Sequence, residues 1–509
     1  MITRRKFLCL AGLLCLIASM SYAQSYVESA LLFSRTRPGG SARIQGMGGS
    51  QIALGGDYSV GLSNPAGLGM YNRSEVTFTP GYSTYNTEAD YLGNISKTTS
   101  TKFVIPGVSL VLHMPMDKKG FVGGSFAIGL SRTNDFNRIT QFNGVNTKSS
   151  IIDSFIDIAN GGTTDQFQPD GALYNAPTGL AYHNFLIGPA SLLDPNFPDD
   201  EYFTDVKTVP YQRERTETEG ATNQWSFSYG ANFKDKLFIG AGIGVTTLKY
   251  KSSKTYFEDF DDSANDLTND IFNELNLDET LNLRGNGINA TLGAIFRPVD
   301  FLQVGVSFTT PTYYELTEDY DAEMSTSWKN FDYFGNGSEI LNDLSAATDI
   351  ITSDYNLTTP MKFSAGVAFL SEYGIITGDV ELTNPAKAKY SSNTPGISFD
   401  QENSNIKEAY QSVVNYRVGG EFRYKILRVR AGYGVQASAL KDYFDLDNSI
   451  QTITGGLGVR LKKFYADFAL VYSNAKDYYT PYFLAEPPIP IVTLDSKTTT
   501  GMITFGLTF

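Results

Sequence analysis

From Val76 to the last residue the sequence repeats one pattern fourteen times: about ten residues in which apolar side chains alternate with small or polar ones. The segments are Val76–Thr84, Lys102–Met114, Phe121–Ser131, Trp225–Phe233, Leu237–Tyr250, Arg284–Arg297, Phe301–Leu316, Lys362–Leu370, Gly374–Leu382, Tyr416–Tyr424, Ile426–Val435, Thr452–Leu461, Phe464–Tyr472 and Lys497–Phe509. A period of two marks a strand whose faces meet different media. The connections between segments alternate strictly, seven long and six short; PMDKKG, KDK, PVD and KK are among the short ones. In a closed antiparallel sheet, alternate connections emerge at the same end, so this rhythm places all long loops outside and all tight turns in the periplasm. A secreted sandwich has no reason to sort loop lengths this way. The sequence therefore predicts an all-β protein, a transmembrane antiparallel β-barrel of about 14 strands, with both termini at the periplasmic end.

The final strand fits that reading. In GMITFGLTF, Ile503, Phe505, Leu507 and Phe509 share one side, while Met502, Thr504, Gly506 and Thr508 share the other. The chain ends where the sheet closes, on an aromatic residue of the kind that barrels present to the barrel assembly machinery. Tyrosine (31), phenylalanine (34) and glycine (48) are abundant, as suits interfacial girdles and crowded small positions.

Arg4, Arg5 and Lys6 precede an apolar run, Phe7 to Met20, and then Ser21-Tyr22-Ala23. These are the three parts of a secretory signal peptide over residues 1–23. Both cysteines, Cys9 and Cys15, lie within it, so no disulfide is expected in the processed chain. Without the three basic residues, 37 Lys and Arg stand against 54 Asp and Glu, a formal charge of −17. That argues against nucleic acid as a partner. No later run approaches the length of an apolar membrane helix.

Residues 24–73 carry no alternation and are dense in glycine, as in RPGGSARIQGMGGSQIALGGDYSVGLSNPAGLGM from Arg37 to Met70. Glycine loses the most entropy on ordering, a poor choice for a free domain but suitable for backbone bent tightly inside a container. A barrel of fourteen strands is too wide for its own side chains to fill. We therefore expect an N-terminal periplasmic segment and luminal hatch over residues 24–73, with the barrel and its long extracellular loops over 74–509.

At this stretch the sequence resembles the outer-membrane long-chain fatty acid and hydrophobic-compound transporters of the FadL/TodX type. The resemblance rests on GMGGSQIALGGDYSVGLSNPAGL (Gly46 to Leu68) centred on Asn64-Pro65-Ala66, on GINATLGAIFRPVDFLQVGVSFTTPTYYELT (Gly287 to Thr317) and on TPMKFSAGVAFL (Thr359 to Leu370). It implies a monomeric barrel in outer-membrane lipid and lipopolysaccharide, a hatch blocking the lumen, capture of a hydrophobic small molecule, detergent or lipid among the outer loops, and exit sideways through the wall. The long insertions, notably Asn134 to Ala221, resemble those of Bacteroidetes-type relatives.

Apolar residues in the third and fourth outer connections are candidates for an outer ligand site: Phe257, Leu267, Ile271, Phe272 and Leu275, with Phe331, Tyr333, Phe334, Ile340 and Leu344. Loop-on-loop packing is the alternative for each. Pro106-Gly107 interrupts the second strand and Gly123-Gly124 its hairpin neighbour; proline removes a ladder donor and glycine a side chain. A gate is expected between these strands, braced by the hatch turn Asn64, Pro65 and Ala66. Glu258, Asp259, Asp261, Asp262, Asp266 and Asp270 could gather calcium or line the wet face of a short helix. Asn336 could cap a helix over GSEILNDLSAATDII, striped by Ile340, Leu344, Ala347 and Ile351. His113 and His183 lack the companions of a metal or nucleophile set, and neither a cofactor nor an enzymatic activity is expected. Besides uptake of hydrophobic molecules, two other readings stand: a binding or protein-secretion accessory barrel, and a surface lipid hydrolase using a serine with His113 or His183.

Overall fold

The computed structural model describes residues 26–118, 120–194, 196–206, 209–260, 271–441 and 446–509. The signal-peptide assignment, Leu267, and Asp261, Asp262, Asp266 and Asp270 fall outside them.

The wall starts with β1 (Glu75–Tyr91), β2 (Asn94–Lys118) and β3 (Phe121–Asp135), the last continued by β4 (Arg138–Val145). The two-residue β5 (Gly188–Pro189) and β6 (Tyr202–Phe203) pair with each other in the long insertion. Then follow β7 (Tyr211–Phe233), β8 (Leu237–Asp259), β9 (Phe272–Val299), β10 (Leu302–Thr309), β11 (Tyr313–Asp332), β12 (Ile340–Ala347), β13 (Ile351–Thr358) and β14 (Lys362–Ser371). The circuit ends with β15 (Gly374–Thr383), β16 (Lys389–Ser391), β17 (Val413–Tyr424), β18 (Leu427–Gln436), β19 (Ile450–Arg460), β20 (Phe464–Tyr479) and β21 (Val492–Thr508). β1 pairs antiparallel with β2 on one side and β21 on the other, so the sheet closes. Counting β10 with β11, β12 and β13 with β14, and β15 with β16 as single staves, the barrel has fourteen, and each predicted segment lies on one of them to within a residue at its ends.

Three neighbouring staves break at one level, at Pro311, Pro360 and Pro385, as expected of a residue that cannot donate to a ladder. The break is stitched by Thr359 N–H donating to Thr312 O (2.9 Å) and Thr312 N–H donating to Thr359 Oγ1 (2.9 Å). Outward positions carry exposed apolar side chains, among them Phe227, Ile243, Leu292, Phe369, Val418, Leu457, Phe468 and Phe505. Such a continuous apolar surface calls for an apolar surround.

Two expectations need correction. The first long connection is not a loop: Tyr85 to Thr101 continues the β1–β2 hairpin to a turn at Leu92-Gly93, where both residues take positive φ. Outside an apolar layer both faces of a hairpin can be polar, so the alternation fades while the pairing persists. Second, GSEILNDLSAATDII forms no helix. Its Ile340–Ala347 portion pairs with Glu323–Asp332 and buries Leu341 completely, so cross-strand pairing overrides helical spacing. Asn336 instead sits in the turn before β12 and accepts from Ser338 N–H.

Phe509 lies at the short-turn end beside Ser74, with Phe509 N–H donating to Ser74 O (3.0 Å). The first described residues do not join it there. Helix α1 (Tyr26–Ser34) lies inside the upper barrel, where Tyr26 meets Tyr355, Tyr390 and Phe399 edge-on and Phe33 meets Phe136 and Tyr250. The chain descends from α1 through the lumen before β1 begins, and α1 joins the large aromatic core of the long connections.

Candidate functional site

The hatch descends from Arg35 to Ser74 and is clamped around most of the wall by side chains that hold its main chain. Thr504 Oγ1 accepts from Ala42 N–H (2.7 Å) and Thr454 Oγ1 from Gly48 N–H (2.9 Å). Asp379 Oδ2 accepts from both Gln51 N–H (2.6 Å) and Ile52 N–H (3.0 Å), and Ser228 Oγ donates to Gly61 O (2.8 Å). Hatch Arg43 faces Asp57 (4.0 Å) and wall Glu421 (3.7 Å); Glu421 also binds Arg430 (2.7 Å), which binds Asp467 (2.7 Å). Removing one member of a buried ion-pair set strands a charge and typically costs about 3–5 kcal/mol.

The hatch backbone also needs wall positions without side chains. A methyl on Gly293 would stand 1.8 Å from Asn64 Oδ1, and one on Gly305 would stand 2.2 Å from Ile52 O. Asn64, fully buried, donates through Nδ2 to Ile52 O (2.7 Å), Val306 O (3.3 Å) and Ala294 O (3.4 Å). Its Oδ1 accepts from Ala66 N–H (3.2 Å) and caps the turn Pro65–Met70, whose first position proline favours. The Asn64-Pro65-Ala66 turn is thus seated on β7 to β10, against Gly230, Gly240 and Gly293, and not between β2 and β3 where it was expected. Tyr58 takes the expected place, its ring against Gly129 and its hydroxyl against Gly107.

Between β2 and β3 the wall is incomplete. Pairing rises from the short-turn end and stops at Gly107 with Ser131; above it, the rest of β2 pairs only with β1, around a bulge at Pro80 and Pro106. β3 continues alone on this side, paired to β7. Higher up the interval is bridged by Lys102 with Glu219 and by Asn143 Nδ2 donating to Ser96 Oγ (3.3 Å). An unpaired backbone edge facing hydrocarbon costs several kcal/mol, so it needs a cover. The hatch supplies one: Arg37 N–H donates to Thr133 O (2.7 Å), and Gly39 lies so close to Arg132 O that a methyl there would be 2.9 Å away. Asn134 Nδ2 reaches back to Leu32 O (2.9 Å) and Arg35 O (3.1 Å). Pro106 and Gly107 therefore mark this gap. Gly123 and Gly124 do not: they pair with Pro115 and Met114 near the short-turn end, where Gly124 makes room for Tyr229.

Above the hatch is a luminal cavity of about 630 Å³, a size that suits a small-molecule ligand. Its lining mixes apolar groups, such as Leu31, Phe136, Phe155, Tyr250 and Leu494, with charged ones. Lys254 and Glu279 pair at 2.6 Å, and Glu214 accepts from Tyr479 Oη (2.9 Å). Glu28 of α1 also lines it, its side chain open to the cavity; enclosure by the surrounding barrel, reinforced by Asp477 and opposed by Arg138, pushes its carboxyl up to about 7. A second chamber of about 120 Å³ lies behind the gap, lined by Val104, Pro106, Arg132 and hatch Arg37 to Gly40. The two share lining residues, among them Arg37, Tyr85, Asn134, Asp135 and Gln436, so they adjoin there.

None of the described apolar candidates lines either chamber. Phe272 and Leu275 are fully buried, and Ile271, Phe331, Tyr333 and Leu344 pack partly buried against the same core. Phe334 and Ile340 are exposed, and Phe257 lies under the Arg213 guanidinium at 4.8 Å. Six of them lie on strands and not in loops, Phe257 on β8, Phe272 and Leu275 on β9, Phe331 on β11, Ile340 and Leu344 on β12, because the hairpins extend into the long connections. The cavity is built from inward positions of the staves and from α1; charged residues at inward positions, such as Glu214, Lys254 and Glu279, were the available sequence signal.

Glu258 is fully buried and accepts from Ile151 N–H (2.8 Å) and Gln212 Nε2 (2.7 Å), so it ties loop to wall. Among the described residues no cluster of His, Cys, Asp and Glu could hold a metal ion. His113 Nδ1 lies 3.1 Å from Ser125 Oγ, but Ser125 is completely buried and offers no nucleophile to a substrate. The His183 ring packs on Tyr174 and Tyr182.

No family model matches the sequence, and no curated protein matches it. Solved structures do. A Pseudomonas aeruginosa FadL homologue aligns over 93% of this chain and 99% of its own, with a TM-score of 0.53 and 11% identity. The P. putida toluene transporter TodX aligns over 93% and 99%, with a TM-score of 0.50 and 12% identity. At such identities the likeness is one of architecture: the chain has the closed, fourteen-stave fold of the FadL/TodX-type barrels.

Proposed function

We propose that this protein is a passive outer-membrane channel for small hydrophobic molecules, fatty-acid-like or aromatic, and a member of the FadL/TodX-type transporters. The observation that carries the reading is the break in the β2–β3 ladder above Gly107, backed by a chamber that adjoins the luminal cavity and covered by the hatch. A ligand is captured among the long connections, occupies the luminal cavity, and leaves sideways once Arg37 to Gly40 withdraw from the edge of β3. Removing each CH₂ from water contributes about 0.8 kcal/mol, so an apolar solute gains by moving from the medium to the bilayer. No chemistry is performed on it. The protein acts as a monomer in outer-membrane lipid and lipopolysaccharide, inserted by the barrel assembly machinery. The apolar outer surface supports that location, and the names of the structural neighbours, a FadL homologue and a toluene transporter, support the ligand class.

Cysteines at positions 39 and 131 test the route. A Cβ on Gly39 would lie 3.0 Å from Ser131 Cβ, and relaxation to the roughly 3.8 Å of a disulfide also relieves the crowding against Arg132 O. With both native cysteines in the signal segment, the pair is alone in the processed chain. Oxidised protein in vesicles should stop admitting an apolar dye and resume on reduction; undiminished uptake by protein shown to be locked would exclude this exit.

The charged and hydrogen-bonding groups in the luminal cavity favour one second reading, a binding or protein-secretion accessory barrel that retains its ligand. Stoichiometric co-purification of a protein partner, with no dye uptake by the unlocked barrel, would establish it.

A further inference from the structure

The chain carries a large acidic excess, yet the short-turn end of the barrel is basic along one side. Arg73, Lys425, Lys462 and Lys463 are exposed there, and Arg428 is half-buried. They come from the β17–β18 turn, the β19–β20 turn and the entry to β1, which are neighbours because β18 pairs with β19, β20 with β21 and β21 with β1. Arg460 N–H donates to Ile426 O (2.9 Å), Arg73 Nη1 to Lys462 O (3.2 Å) and Thr508 N–H to Lys463 O (2.8 Å), so the three places form one arc. The carboxylate side chains of the arc, Glu75, Glu421 and Asp467, are all buried. Glu421 pairs with Arg423 (2.8 Å) and Arg430, and Asp467 with Arg460 (2.8 Å). The remaining cations therefore outnumber the one remaining carboxylate, that of the Phe509 main chain. Across the rim the sign reverses: the β9–β10 and β14–β15 turns expose Asp300 and Glu372, while the Arg297 guanidinium lies over the Phe238 ring at 5.3 Å.

The surface beside these cations defines what they meet. Directly above the arc the outward wall is apolar: Val76, Leu461, Phe464, Phe505 and Leu507 are exposed, and Phe464 stacks on Phe505 with ring centroids 6.4 Å apart. Lys463 and Phe464 are consecutive, so charge and apolar wall adjoin at one level. Tyr424 is exposed as well, its ring 5.5 Å from Lys425 Nζ, a pairing suited to a membrane–water boundary. An acidic protein would use the cations and leave the wall uncovered. A molecule with an anionic head and a hydrocarbon tail covers both, and basic side chains at a membrane surface attract such heads. We propose that this arc is a binding surface for anionic phospholipid of the periplasmic leaflet, with the phosphate among Arg73, Lys425, Lys462 and Lys463 and the acyl chains along Phe464, Phe505 and Leu507. The proposal goes beyond the uptake reading and holds whatever the lumen carries, provided that the short turns face the periplasm.

The test titrates the full processed barrel, in nonionic detergent, with phosphatidylglycerol or phosphatidylcholine and counts bound lipid by native mass spectrometry. Wild type should prefer phosphatidylglycerol, and added salt should shrink the preference. The triple variant Lys425→Gln, Lys462→Gln, Lys463→Gln should bind phosphatidylglycerol about tenfold or more weakly, each lysine near a membrane surface contributing several-fold, and phosphatidylcholine within about twofold of wild type. None of these three side chains makes an ion pair or hydrogen bond among the described residues, and heat-modifiable migration on gels checks that each variant is folded. A second triple variant removes the same charge from exposed lysines toward the long connections, Lys148→Gln, Lys249→Gln, Lys251→Gln; it should keep the preference. Equal affinity of wild type for the two lipids, or an equal loss in the two triple variants, overturns the proposal. Displacement of phosphatidylglycerol by millimolar inorganic phosphate also overturns it, since the arc would then be a site for free phosphate.

Discussion

Asn64 offers the sharpest test of how the hatch is held. Replacing it with alanine removes the Nδ2 bond to Ile52 O at 2.7 Å, the cap on Ala66 N–H at 3.2 Å, and two longer contacts to wall carbonyls of Val306 and Ala294. A neutral hydrogen bond contributes about 1 kcal/mol net, and a buried partner left unsatisfied adds to that. Counting the two short bonds fully and the long ones in part gives about 3 kcal/mol, or roughly a hundredfold in the opening equilibrium of the hatch. Aspartate, although nearly isosteric, should do worse than alanine at neutral pH: it loses the donor and places a carboxylate against three carbonyl oxygens at a site with no access to water. Hydrogen–deuterium exchange on amides 44–70 reads the effect, with the wall ladder as internal control. Exchange should rise from wild type to Asn64→Ala to Asn64→Asp while the wall stays protected. A milder effect for aspartate than for alanine would refute the carbonyl-cage argument, and unchanged exchange in both would show that Asn64 does not hold the hatch.

Gly293→Ala should loosen the same peptides, because its methyl would meet Asn64 Oδ1 at 1.8 Å; combined with Asn64→Ala the effect should be clearly less than additive, since the clash is then gone. Glu28 predicts a pH dependence: because its folded-state pKa is raised from 4.5 to about 7, the folded chain holds the proton longer, and the seat of α1 should weaken as pH rises through that interval. Exchange of amides 27–34 should therefore increase between about pH 5 and 8 in wild type beyond its intrinsic change, and Glu28→Gln should remove that excess.

The staves were legible because a lipid-facing position and a lumen-facing position make opposite demands, and the chain writes them alternately: Phe505 and Leu507 are exposed where Thr504 is fully buried. Where that contrast disappears, so does the signal. Tyr85 to Thr101 reads as polar sequence yet is paired strand, and Ile340 to Ala347 has helical spacing yet is fixed by β11. Pro106 stands just where the β2–β3 pairing stops, since a missing donor is a local property of the residue. The place of Asn64-Pro65-Ala66 was not legible, since a turn's sequence sets its shape and says nothing about which stave it meets; that is recorded in Gly230, Gly240 and Gly293, far away in the chain. The apolar residues of the long connections misled for a related reason: Phe272 and Leu275 lie on the extended β9 and pack into the chain's own core, and burial against one's own chain has the same composition as burial against a ligand.

The distribution of bonds around the hatch bears on which part of it can move. Over most of the circumference the wall grips the hatch backbone through charged or buried groups, Asp379 with two N–H groups and Glu421 with Arg43 among them, each costly to strand. At the gap the hatch acts as a substitute strand through Arg37 N–H to Thr133 O, and the wall holds hatch backbone only by the neutral Asn134 amide at Leu32 O and Arg35 O. Withdrawing Arg37 to Gly40 breaks the Arg37 N–H bond to Thr133 O and the Gln45 Nε2 bond to Pro38 O, and two neutral bonds at about 1 kcal/mol each give an opening of a few molecules in a hundred. Freeing the clamped side would require several charge-assisted bonds and an ion-pair set to break together, and its population would be lower by orders of magnitude. On the uptake reading, the exit therefore opens by withdrawal of Arg37 to Gly40 while the rest of the hatch stays seated, and the lumen remains closed below.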